Sequence, residues 1–181
     1  GLPSPAADNA RRVFERLAAA EAVVHGIPVE RVHFHEVGAA DAIVDIVGSC
    51  VGLHALRLER LVCAPIPTGS GTVHCEHGVL PVPAPATAEL LKGVPLAACD
   101  EAGELTTPTG AAILATLTEQ FGPLPAMRLH TIGYGAGTRD NHTRPNILRL
   151  LIGELEVGVT ADEQDCVTVL ETQLDDATGQ M

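Results

Sequence analysis

Apolar residues near the start of the chain recur at helical spacing, with Val13, Leu17, Ala20 and Val24 on one stripe. Ser4-Pro5 precedes them and reads as a capping hydroxyl followed by proline at the first helical position. Gly26-Ile27-Pro28 follows them and stops the helix. "RVHFHEV" (31–37) then alternates as a strand does. Residues 39–57 are apolar almost throughout. Their β-branched "IVDIV" leaves helix or strand open by periodicity, but their length favours a helix, largely buried.

Beyond this the pattern shortens. "RLVCAPIP" (60–67) reads as a strand running into "TGSGTVHCEHGVLPVPAPAT", too rich in Gly and Pro for one regular element and expected to form an extended loop with a hairpin. "ATAELLKG" is a short helix closed by Gly93, and "VPLAACD" a strand. "TPTGAAILATLTEQFG" is a helix with Thr107 as its cap and Pro108 at its first position. "MRLHTIGYGAG" and "NILRLLIGEL" are strands around a glycine-rich loop. This loose alternation predicts an α/β or α+β fold, a mixed sheet flanked by helices with a Gly/Pro-rich hairpin region. We expect a main domain over 1–153, an acidic linker over 154–164 and the start of a further, truncated domain over 165–181. The Gly1 start and the stop after "LETQLDDATGQM" suggest a piece of a longer protein.

Charge sharpens the division. The net charge is −12, yet all 11 Lys and Arg lie at or before Arg149, with 15 of the 23 acidic residues. The acidity therefore belongs mainly to the C-terminal stretch, and no basic tract exists to grip a nucleic-acid backbone. Aromatic residues are only 2%, too few for base-stacking platforms. Five scattered cysteines without a C-x-x-C pair suit a reducing compartment better than a disulfide framework. The most apolar window, 39–56, carries Asp41, Asp45 and His54, and so reads as a buried element, not a membrane span.

Four stretches carry groups capable of chemistry. In "HFHEVGAADAIVDIVG" (33–48), His33 and His35 share a strand face beside Glu36, while Asp41 and Asp45 are i,i+4 neighbours if a helix follows. Imidazoles with a carboxylate suit a divalent transition metal, whereas histidines bonded to backbone and aspartates at a helix start are the bland alternative. "VHCEHG" (73–78) adds His74, Cys75 and His77, either ligands or a polar hairpin tip. "TTPTGAA" (106–112) gathers Thr107, Thr109 and Gly110 at a helix start, either an anion site without a P-loop lysine or an ordinary capped helix. "GYGAGTRDNHTRPN" (133–146) combines Gly135 and Gly137 with Arg139 and Arg144, suited to phosphate or carboxylate but equally a glycine-rich hairpin.

In order, "VHFHEVGAADAIVDIVG", "TGSGTVHCEHGVLPVPAPATAELLKG", "GELTTPTGAAIL" and "GYGAGTRDNHTRPNILRLLIGE" resemble the nickel insertion proteins of nickel-pincer-cofactor synthesis. "LETQLDD" is similar to the start of that family's C-terminal domain. The resemblance implies a cytoplasmic, homo-oligomeric nickel chelatase of lyase type. It places Ni(II) between two thiocarboxylate sulfurs and the ring carbon of a pyridinium mononucleotide, coupled to CTP hydrolysis with Mn(II) or Mg(II), and serves the lactate racemase apoprotein. CTP binding belongs to the family's C-terminal domain, of which only the first residues are present. The family's Gly/Asp-rich opening and histidine-rich insert are not found here. On that resemblance His33, His35, His74, Cys75 and His77 are candidates to hold nickel. Glu36, Asp41 and Asp45 are candidates for a base or supporting carboxylates, and Arg139 and Arg144 with Thr107, Thr109, Gly110, Gly135 and Gly137 for the mononucleotide phosphate. A substrate-presenting scaffold and a metal-dependent hydrolase of a nucleotide-like substrate are the alternatives.

Overall fold

A 22-residue helix, α1 (Ser4–His25), runs through the centre of the core. It buries Ala6, Ala10, Val13, Leu17 and Ala20, one side chain per turn, and ends where Gly26 adopts the left-handed conformation at φ 62°. The computed structural model describes residues 1–32, 40–75, 77–155 and 166–171. The helix start differs slightly from expectation: Pro3 holds the cap position and Ser4 lies inside the helix, its hydroxyl donating to Asp8. Val24, expected on the buried stripe, is 39% exposed because the helix has by then run past the core.

After a 3-10 turn at Val29–Arg31 come α2 (Ala40–Ala55), β1 (Arg60–Cys63), β2 (Ile66–Pro67), β3 (Gly69–Ser70), β4 (Thr72–Cys75) and β5 (Gly78–Pro81). These are followed by α3 (Pro85–Leu90), β6 (Leu96–Ala97), β7 (Gly103–Glu104), α4 (Pro108–Leu117), β8 (Gln120–Phe121), β9 (Met127–Ala136), β10 (Ile147–Leu155) and β11 (Cys166–Glu171). The helix reading of 39–57 holds, but "largely buried" does not. Ala42, Ile46 and Cys50 face the core at four-residue spacing, while Asp41, Ile43, Val44 and Asp45 face outward, Val44 at 68% exposure. The aspartates are therefore solvated on the outer face and need no buried counter-charge.

The main sheet has five strands in the order β8-β1-β11-β10-β9. β1 runs parallel to both β8 and β11, whereas β10 is antiparallel to β11 and to β9. This is the mixed sheet expected. Residues 166–171, expected as the start of a further domain, pair at the centre of this sheet. One face carries the helices: Leu61 and Cys63 of β1 join the core side chains of α1, α2 and α4. Val62 points the other way and packs with Leu151, Met127 and Leu155. The Gly/Pro-rich region supplies the β4–β5 hairpin, with Thr72 opposite Pro81 and Cys75 opposite Gly78. It also supplies a close backbone crossing of β3 and β7. Gly69 sits at φ 87°, and a Cβ there would stand 1.9 Å from the Gly103 carbonyl oxygen. No described helix is long and apolar enough to cross a membrane.

Candidate binding cavity

A cavity of about 680 Å³ opens between α2, the start of α4 and the β9–β10 hairpin, within the usual range for small-molecule sites. One wall is apolar, with Leu53 of α2, Leu56 just after it, and Ile113 and Leu114 of α4. The opposite wall is the glycine-rich end of β9, Gly133 to Gly137, which carries Tyr134, the one tyrosine of the chain. The absent side chain at Gly135 leaves its backbone open to close approach, whereas the space beside Gly137 is taken by Asn146. Of the sequence-derived candidates, Thr107, Gly110, Gly135, Gly137 and Arg144 line this one cavity, while Thr109 and Arg139 do not.

Arg144 is the only charged residue among the described lining residues. Its Nε and Nη1 are buried and have no hydrogen-bond partner among the described residues, although the residue as a whole is half-buried. A buried guanidinium with two unpaired donors is costly to maintain and is best matched by a planar or tetrahedral oxyanion. Arg139 is differently employed. Its Nη1 donates to the Glu104 carbonyl at 2.8 Å and its Nε to Asn141 at 3.0 Å, so it ties the loop to β7.

Three further ties hold the 137–146 loop that presents Arg144. Gly137 N–H donates to the Asn146 carbonyl at 2.9 Å. Asn146 Nδ2 donates to the Arg139 carbonyl at 3.1 Å. The third is Glu101, only 2% exposed, whose carboxylate accepts the His142 and Thr143 amides at 2.9 and 2.8 Å and the Thr143 hydroxyl. The Thr143 hydroxyl, then the His142 and Thr143 amides, hold this carboxyl down to about 2 against the opposing effect of burial. Sequence reading missed Glu101. Its partners lie about forty positions away, and no local pattern marks it.

The α4 start is capped as expected, Gly110 N–H donating to Thr107 Oγ1 at 3.2 Å. Pro108 has no N–H, and Ala111 N–H donates to the Thr107 carbonyl at 2.9 Å. The amides of this turn are thus largely committed within the helix, and what α4 directs at the cavity is its dipole.

The metal candidates are arranged otherwise. His33, His35 and Glu36 lie outside the described residues. Asp41 and Asp45 are exposed on α2, the Asp41 carboxylate accepting the Ala42 amide at 2.8 Å. His74 and His77 are exposed on the β4–β5 hairpin and Cys75 is half-buried. Among the described residues no three His, Cys, Asp or Glu side chains converge on a point able to hold a metal ion. Burial pushes the Cys63 thiol up to about 12 and that of Cys50 upward, so neither is a thiolate ligand or nucleophile near neutral pH.

The family model described as "Nickel insertion protein" matches residues 1–181. Among curated relatives, a pyridinium-3,5-bisthiocarboxylic acid mononucleotide nickel insertion protein of Geobacillus kaustophilus is 50% identical, over 95% of this chain and 43% of that protein. A protein of the same name from Staphylococcus epidermidis is 49% identical, over 98% of this chain and 44% of that protein. The chain thus spans less than half the length of these relatives. No solved structure matches.

Proposed function

Because the chain belongs to the nickel insertion protein family, we propose that its cavity holds the pyridinium bisthiocarboxylate mononucleotide into which the full-length protein inserts nickel. The observation that carries this reading is Arg144, half-buried in the wall of a ligand-sized cavity, whose covered Nε and Nη1 have no hydrogen-bond partner among the described residues. In this arrangement the phosphate sits on Arg144, with the α4 dipole and the open backbone at Gly135 beside it. Tyr134 offers its ring to the cationic pyridinium, and Leu53 and Leu56 exclude water from one side.

The bond-making chemistry is metal insertion. Ni(II) is the substrate: it replaces the ring proton, which passes to a base, and is held by the ring carbon and the two sulfurs, with further positions left for other ligands. His33 and His35 with Glu36 are the groups we assign to nickel and to the released proton, supported by His74, Cys75 and His77; Asp41 and Asp45 retain a supporting part at most, being on the outer face of α2. CTP hydrolysis with Mn(II) or Mg(II) we assign to the part of the protein beyond this chain. Among the described residues the cavity lining carries no Asp, Glu or Lys and one Arg, which does not fit a metal-bound triphosphate. Delivery of the product to the lactate racemase apoprotein, a cytoplasmic location and homo-oligomer formation belong to the same reading.

The test is calorimetric titration with a pyridinium carboxylate mononucleotide and with its nucleoside. Hydrogen bonds to a charged group are worth about 1.5–3 kcal/mol, so removing the phosphate should weaken binding by about tenfold or more. Equal affinity for nucleotide and nucleoside would remove the phosphate from Arg144 and the reading with it.

A further inference from the structure

Outside the cavity, the end of α1 meets the tip of the β4–β5 hairpin. There the rings of His25 and His77 lie with centroids 5.2 Å apart and planes inclined at 59°. His25 was not singled out in the sequence, whereas His77 was already a nickel candidate beside His74 and Cys75. Two imidazoles on one tetrahedral ion, each nitrogen about 2.0–2.1 Å from it, place their ring centres about 5 Å apart. The observed separation is compatible with a shared ion.

Two other features point the same way. Glu21 Oε2 stands 3.3 Å from His25 Nε2, one helical turn back. A carboxylate on one ring nitrogen is the arrangement that orients metal-bound imidazoles, leaving Nδ1 for the ion and raising its basicity. His25 is also the last residue of α1, where the helix dipole favours positive charge. Both rings are exposed, so a cation arrives from solvent without any opening of the fold.

We propose that His25 and His77, with Glu21 orienting His25, form a surface site for a borderline divalent transition cation such as Ni(II) or Zn(II). Water completes the coordination. Two protein ligands with open positions make an exchangeable site, suited to taking up and passing on an ion and unsuited to storing it. Mg(II) and Ca(II), which demand oxygen ligands, do not bind there. The proposal stands apart from the mononucleotide cavity, which shares none of these residues, so either can fail without the other.

Nickel titration in a His33→Ala/His35→Ala background tests it, since that background removes the other histidine pair. One equivalent of Ni(II) should remain. It should be lost in His25→Ala and in His77→Ala, and be weakened about tenfold in Glu21→Gln, the usual cost of removing an orienting carboxylate. Because all three positions are at the surface or the end of a helix, thermal unfolding without metal should change little. In the unsubstituted chain, paramagnetic Ni(II) should broaden the ring protons of His25 and His77 together. Unchanged nickel affinity in His25→Ala and His77→Ala, or broadening that spares either ring, overturns the proposal.

Discussion

Replacing Arg144 with methionine should separate binding from stability in an unusual direction. Arg144 keeps Nε and Nη1 buried and unpartnered. An orphaned buried donor costs about 1–3 kcal/mol, and a charged one more. Methionine keeps the apolar stem and removes both donors. Without any anion, Arg144→Met should therefore be as stable as the wild type or more stable, by up to about 2 kcal/mol. For a chain of this size that corresponds to a rise of up to about 4–8 °C in Tm. Phosphate should reverse the order. At ten times its Kd, a ligand bound only to the folded state adds about 1.4 kcal/mol, and only the wild type should gain it. The assay is thermal unfolding followed by circular dichroism over a series of inorganic phosphate concentrations. The variant also reports the general stabilisation that phosphate gives any protein. If Arg144→Met melts several degrees lower without anion, or if both proteins gain equally from phosphate, the guanidinium is a packing element and its donors are not waiting for a ligand.

Two further outcomes follow from the same framework. The Glu101 carboxyl is held at about 2, below its ordinary value of 4.5. The stability it contributes is therefore fully present above about 4.5 and is lost as pH falls through the folded value near 2. Exchange protection of the His142 and Thr143 amides should fall across that window. Glu101→Gln should show low protection at neutral pH and weaken mononucleotide binding by freeing the loop that carries Arg144; full protection in that variant would show the clamp to be dispensable. At the backbone crossing, Gly69→Ala should be far more damaging than Gly71→Ala. Both glycines have positive φ, but a Cβ at Gly69 meets the Gly103 carbonyl at 1.9 Å while one at Gly71 meets nothing within 4 Å. Conformational strain alone costs about 1–3 kcal/mol, so denaturant unfolding should place Gly71→Ala in that range and Gly69→Ala beyond it.

What the sequence disclosed was governed by how local each signal is. Pro5 with Gly26 brackets α1, and Thr107 with Pro108 marks the start of α4, because start and stop chemistry acts within a turn. The end of α4 was overrun, since it stops at Leu117 and Gln120–Phe121 is a strand. The solvated face of α2 was misjudged because Val44 and Ile43 are as apolar as their buried neighbours; orientation, not composition, separates them. The place of 166–171 beside β1 was invisible, since that pairing joins segments far apart in the chain. The cavity was half legible. Its glycines and Arg144 stand out as ligand-type residues, but nothing local distinguishes Arg144 from Arg139. That distinction depends on Glu104, 35 positions from Arg139, which occupies one guanidinium and leaves the other to the cavity. His25 and His77 were separated by 52 positions and met only in the fold.

The cavity and the histidines also constrain each other. No His, Cys, Asp or Glu is among the described residues lining the cavity. A mononucleotide seated there brings its own sulfurs, but the described walls offer neither a nickel ligand nor a base for the ring proton. Both must reach the ring from outside those walls, either from the His33–Glu36 stretch or from the more than half of the relatives' length that this chain does not span. A division of labour follows from the proposed function: one wall grips phosphate and ring and remains free of competing ligands, and the metal arrives by another route. Such a wall benefits the chemistry. A histidine or cysteine lining it would compete with the thiocarboxylates for nickel and hold the ion short of the carbon it must reach.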